Sequence, residues 1–266
     1  MTVRSVRSIS RSLLTDGLFP TERLLVDTSR WRLTLRSRTM VSNVEQLRGV
    51  TVPAGSMRLR GDLNVPVGGR GVVVFAHWNA DDERDRGIVH VLNMARFATL
   101  RVHLLTADEE LIDSTTEQLR SQIDLLADRL IAATRWITQY ERTRELRVGY
   151  LAASTGAAAA LVAASELPNE VSAVVARGGR PDLAGDAIER AFVPTLLIVG
   201  GKSPRLVDLN QHTLARLPGV KRLVVIPDVS QRFETPAALD EVAHLARDWF
   251  ERYLTRSTQA STATGR

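Results

Sequence analysis

The chain has 266 residues, no cysteine and a formal charge of +5, from 35 basic and 30 acidic side chains. That length suits one large α/β domain or at most two small ones. Absent thiols exclude disulfides, thiolate catalysis and cysteine-ligated metal, and no apolar run approaches the length of a bilayer span, so a cytoplasmic protein is expected.

The charge is uneven. Residues 1–60 carry eleven arginines against Asp16, Glu22, Asp27 and Glu45, so the rest of the chain is slightly acidic. Nucleic-acid binding needs a basic face on the folded domain, and no nucleic-acid partner is expected. In the leader, Val3, Val6, Ile9 and Leu13 recur at near-helical spacing beside Arg4, Arg7 and Arg11. An Arg- and Ser-rich, acid-poor start fits an organelle transit peptide or a surface-binding amphipathic segment. It fits equally a disordered leader, or a start placed too early with Met40 the initiator. Disorder is the simpler assignment, because short basic segments are usually solvated. We therefore assign 1–47 to a basic disordered leader, 48–255 to the folded domain and 256–266, rich in Ser, Thr and Ala, to a disordered tail.

Regular patterning follows the leader. Val50–Pro53 and Met57–Val65 alternate like a hairpin with one wet face. Short apolar runs at 71–76, 101–105, 147–151, 172–176, 195–199 and 222–226 mark strands buried on both faces. Ser114-Thr115-Thr116-Glu117 has capping-box spacing and is expected to open a helix carrying Leu119, Ile123, Leu126, Leu130, Ala133 and Ile137 on one stripe. Thr235 and Pro236 suit the cap and first turn of a last helix. Strands alternating with helices predict an α/β fold: a mostly parallel central sheet, helices on both faces, and an N-terminal antiparallel strand pair.

One segment carries chemistry. Leu146 to Gly156, followed by alanines, reads as a strand, a sharp turn at Ser154 and a helix, the pattern of a nucleophile elbow. The surrounding stretches resemble the dienelactone hydrolase-like branch of the α/β-hydrolase superfamily. They are Val52-Pro53-Ala54-Gly55 with Leu59 to Leu63, Val72 to His77, Ala153-Ser154-Thr155-Gly156, Arg177 to Gly185, and Pro194 to Gly201. The resemblance runs in order through residues 48–254 and implies the α/β-hydrolase fold. It also implies a serine nucleophile, an Asp after a late strand and a His after the last strand.

Ser154 matches the nucleophile, with Ala152 where the family has Gly. The acid position, beyond Gly200-Gly201, holds Ser203. The base position, before Phe233-Glu234, holds Gln231. A hydroxyl carries no charge to stabilise an imidazolium, and an amide does not titrate near neutral pH. Asp208 reads as a solvated helix charge, and Asp182 as a weak candidate for a displaced acid. The oxyanion hole is expected from the N–H groups of Trp78, in place of a family Gly, and Thr155. His77 and His103 are the remaining candidates for an alternative base; His90, His212 and His244 fall in helical patterns.

Gly68-Gly69-Arg70-Gly71 precedes a strand, whereas a phosphate loop follows one, and no residue pair has metal-ligand spacing on one element. No metal or cofactor is expected. Two functions follow: a hydrolase-fold protein impaired in catalysis and acting in binding or scaffolding, or an active serine esterase or lactone hydrolase with a non-standard base. Its ligand would be a small-molecule ester or lactone, and the sequence leaves the oligomeric state open.

Overall fold

A computed structural model describes residues 44–77 and 84–255. Residues 1–43, residues 78–83 with Trp78, and residues 256–266 lie outside the described residues.

The fold opens with a hairpin of β1 (Val44–Ala54) and β2 (Met57–Pro66), paired antiparallel with Ala54 opposite Met57. Gly55 turns the chain at a φ of 60°, in the left-handed region that costs glycine nothing. β1 begins before residue 48, because Val44 to Leu47 already pair with Pro66 to Leu63. A register shift between Leu47 and Val50 hides this in the sequence: an extra residue flips the phase of in-out alternation.

Next come β3 (Gly71–His77), α1 (Arg84–Met94), β4 (Phe97–His103), α2 (Ala107–Thr116), α3 (Ile123–Gln139), β5 (Val148–Ala153) and α4 (Gly156–Glu166). They are followed by β6 (Val171–Arg177), the single turn α5 (Ala187–Arg190), β7 (Thr195–Gly200), α6 (Pro204–Arg216), β8 (Lys221–Ile226) and α7 (Pro236–Leu254). The sheet order is β1-β2-β4-β3-β5-β6-β7-β8, antiparallel at β1–β2 and β2–β4 and parallel from β4 onward.

Alternate residues of the parallel strands feed two cores. Val74, Tyr150 and Val174 pack with α3 and α4, whereas Phe75, Leu151 and Val175 pack with α1 and α7. The alanines 157–160 of α4 are fully buried, so small side chains seat this helix tightly on the sheet. α7 starts as its sequence suggests: Thr235 Oγ1 accepts from Ala238 N at 3.3 Å and Pro236 takes the first helical position.

The capping box at Ser114 does not form. A different one does, eight residues earlier: Thr106 Oγ1 accepts from Glu109 N while Glu109 accepts from Thr106 N, and this box opens α2. Ser114 and Thr115 sit in the last turns of α2 and donate to the carbonyls of Leu111 and Ile112. Glu117 ends the helix in the left-handed region, at a φ of 54°. The expected apolar stripe instead begins α3 at Ile123, after a short 3-10 turn.

Candidate functional site

The carboxyl ends of β5, β6, β7 and β8 form one rim, and the site is built there. β5 stops at Ala153 and α4 starts at Gly156, so two residues reverse the chain. Ser154 makes the turn at a φ of 52°, and its side chain is exposed. A left-handed L-residue is disfavoured by about 1–2 kcal/mol, so neighbouring contacts must hold it. Its carbonyl accepts from Arg180 N at 2.9 Å and Ala157 N at 3.3 Å. Ala152 is fully buried in the strand, its methyl accommodated where a glycine would fit. Thr155 follows, and its hydroxyl donates to the Arg120 carbonyl at 2.6 Å, tying the turn to the segment between α2 and α3.

Ser203 lies at the start of α6, just past β7, and makes no side-chain capping bond there. Gln231 is exposed in the loop between β8 and α7. Phe233 is wholly buried and anchors that loop, while Arg84 of α1 donates to the Arg232 carbonyl at 2.9 Å. The loops bearing Ser203 and Gln231 interlock, with Lys202 N donating to Val229 O at 3.0 Å. Two glycines after β6 fit between these loops and the Ser154 turn. A Cβ on Gly178 would stand 2.2 Å from the Gln231 carbonyl oxygen, and one on Gly179 would stand 2.4 Å from Ala157 Cβ. Ser154, Ser203 and Gln231 therefore share the rim, coupled through main chain.

The other residues singled out in the sequence are more dispersed. Trp78 lies outside the described residues; His77 is the last residue of β3, in register with His103, the last of β4. His103 is buried, and its Nδ1 lies 2.7 Å from Glu110 Oε1 of α2. Asp182 is bound by the Arg180 guanidinium at 2.8–3.1 Å, and this contact raises the arginine's pKa. Asp208 is an exposed residue of α6, and His90, His212 and His244 lie on α1, α6 and α7.

Sequence reasoning missed a set of carboxylate anchors around this rim. Glu109 receives both guanidinium nitrogens of Arg129, at 2.6 and 2.7 Å. That pairing holds its carboxyl down at about 2. Asp113 is fully buried; burial pushes its carboxyl up, but the Arg120 amide and guanidinium, at 3.0 and 2.5 Å, outweigh this and keep it low. Arg177, ending β6, pairs with Asp85 of α1 in the interior. Of these residues Glu109 alone has a local signal that could have found it, the capping spacing Thr106-x-x-Glu109, which sequence reasoning did not use. Among the described residues no group of three or more His, Asp or Glu side chains is placed to hold a metal ion, and no helix is long and apolar enough to cross a membrane.

No protein-family model matches the chain. A dienelactone hydrolase from Anabaena variabilis, however, shares 47% identity and superposes at a TM-score of 0.77, over 80% of this chain and 99% of that one. The chain belongs to the dienelactone hydrolase-like branch of the α/β-hydrolase superfamily. A dienelactone hydrolase-like promiscuous phosphotriesterase from metagenomic libraries shares the fold at a TM-score of 0.66 and 17% identity, over 80% of this chain and 99% of that one. Two Mycobacterium tuberculosis proteins, from strains CDC 1551 and H37Rv, carry the provisional name phosphoribosyl transferase. Each is 47% identical over 208 residues, 77% of this chain. This dienelactone hydrolase-like chain spans about half the length of those relatives, 46%.

Proposed function

We propose that this domain is a catalytically impaired hydrolase-fold module that acts in binding or scaffolding. The observation that carries the proposal is chemical: the residues following β7 and β8 at the rim, Ser203 and Gln231, have no titratable group near neutral pH. Ser154 has the strand-to-helix turn of a nucleophile elbow, but a serine hydroxyl attacks usefully only when a neighbour takes its proton. Losing the base alone removes about as much turnover as losing the whole triad, roughly a millionfold. What remains is roughly 10³–10⁴ over water, from oxyanion binding and positioning.

The relatives suggest what such a module serves. It makes up about half of proteins provisionally named phosphoribosyl transferases, which fits a scaffold working alongside a phosphoribosyl transferase unit. A small ester or lactone is the ligand class suited to the retained rim.

The test is reaction with a fluorophosphonate probe together with turnover of short acyl esters and lactones. Negligible labelling and turnover are expected. Restoring Gln231→His with Ser203→Asp raises activity, with Trp78→Gly added where an acyl group needs room. Ester turnover at ordinary enzymatic rates, abolished by Ser154→Ala, would refute the proposal.

One observation favours the second function, an active serine esterase or lactone hydrolase. His103 Nδ1 lies 2.7 Å from Glu110 Oε1, so a carboxylate orients this imidazole as in a triad, although β3 stands between its strand and β5. In that case His103→Ala removes the activity as completely as Ser154→Ala.

A further inference from the structure

The two edges of the sheet are built differently. β1 is protected: its register shifts between Leu47 and Val50, it contains Pro53, and α3 packs against it. Bulges, prolines and covering helices are the usual ways of preventing an edge from pairing with another chain. Among the described residues β8 has neither a bulge nor a proline, and α6 is the helix that packs against it. The strand is six regular residues, Lys221 to Ile226, with no shift in its pairing to β7. Its second half is the apolar run Leu223-Val224-Val225-Ile226, and Val220 and Val225 are exposed. Lysine can guard an edge, but β8 has a single one, Lys221 at its first position, whose ammonium lies 2.6 Å from the Leu217 carbonyl. Apolar surface continues beside the strand at Phe192, which is 71% exposed and whose main chain packs against Gly219.

The main chain fixes which groups are on offer. The carbonyls of Val220 and Ile226 accept from Thr195 N and Gly201 N on the β7 side, at 2.9 and 2.8 Å. Main-chain groups alternate along a strand, so Lys221, Leu223 and Val225 turn theirs outward. We infer that β8 is a self-recognition edge, pairing antiparallel with β8 of a second copy of this chain to continue the sheet across a two-fold axis.

Sequence and charge select the register. With Leu223 opposite its own copy, Lys221 faces Val225 and Arg222 faces Val224, so all three outward residues find partners and no like charges meet. The neighbouring two-fold register toward the start of the strand sets Arg222 against itself, and like charges directly opposite destabilise a ladder. The one toward the end sets Lys221 opposite Pro227, which has no N–H to donate. The pairing is independent of whether Ser154 reacts.

The experiment is sedimentation of the full chain over a range of concentrations, with Val225→Lys and Val225→Glu. Position 225 is 40% exposed, so both side chains are tolerated by the monomer. The unmodified protein forms a concentration-dependent dimer. Val225→Lys faces Lys221 of the second copy twice per interface and weakens the dimer by about tenfold, whereas Val225→Glu faces the same lysine and retains it. A second measurement needs no variant: residue-resolved amide exchange should protect the outward N–H groups of Leu223 and Val225 at high concentration and release them on dilution. A monomeric unmodified protein, equal effects of the two substitutions, or exchange at those amides that ignores concentration overturns the inference.

Discussion

Replacing Glu109 by Gln tests whether the carboxylate anchors hold the rim. Glu109 is 21% exposed at its side chain and Arg129 only 7%, so solvent screens their contact little. Pairing with Arg129 lowers the Glu109 carboxyl from its ordinary 4.5 to about 2. At about 1.4 kcal/mol per tenfold in proton affinity this corresponds to about 3 kcal/mol, and stranding one partner of a buried pair costs about 3–5 kcal/mol. Gln keeps the oxygen that accepts from Thr106 N, so the cap survives while the charge is lost. A pKa depressed in the folded state stabilises above the ordinary value and loses that effect as pH falls through 4.5 toward 2. The gap between the two proteins is therefore about 3 kcal/mol at pH 7, or roughly 6–12 °C in melting temperature for a domain of this size. Near pH 3 it narrows to about 1.5 kcal/mol. Thermal melts followed by circular dichroism across this range measure it. An equal gap at pH 7 and pH 3, or none at pH 7, refutes the assignment of Glu109 as an ion-paired anchor.

Ser154→Gly relieves the left-handed backbone, so the melting temperature should hold or rise by a degree or two, an effect of roughly 0.5–1 kcal/mol net of glycine's entropy; a clear fall in a thermal melt contradicts strain at this turn. Gly178→Ala forces a methyl to within 2.2 Å of the Gln231 carbonyl oxygen at a φ of 53° and should destabilise by about 2 kcal/mol or more, with Phe233 losing burial as seen by a quencher; a neutral result means that loop is free to move. Thr155→Val removes the hydroxyl that reaches the Arg120 carbonyl and should cost about 1–2 kcal/mol in chemical denaturation, whereas no change means water satisfies that carbonyl. Deleting residues 1–39 should leave the melting temperature nearly unchanged, since that segment has no sustained apolar pattern, and a large drop places part of the leader in the core.

Much of the domain was legible because its signals are local. Apolar runs announced β3 and β5 to β7, since strands covered on both faces need continuous hydrophobicity; the run 222–226 also marked β8, but as the edge of the sheet that strand is largely exposed and buries only Ile226. Thr235 and Pro236 marked α7 because a cap is chemistry within one turn. Ser154 stood out because a strand, a turn and a helix of small residues lie within about a dozen positions. The absence of a titratable group at 203 and 231 is likewise a matter of residue identity.

What only the tertiary structure decided involves partners distant in the chain. Insertion of β4 between β2 and β3 depends on pairings that strand periodicity cannot express. α2 escaped notice because it has no apolar stripe: its one buried residue is Asp113, while Leu111 and Ile112 face outward. It is held by charge-assisted bonds, Glu109 to Arg129 and Asp113 to Arg120. A hydrophobic pattern reports burial of carbon, not satisfaction of a carboxylate. Ser114 and Thr106 offered equal spacing for a cap, and the contest was settled by an arginine twenty residues beyond Glu109. The need for Gly178 and Gly179 also appears only when the Gln231 carbonyl and Ala157 close in on them, because close approach between backbones is a property of the folded chain.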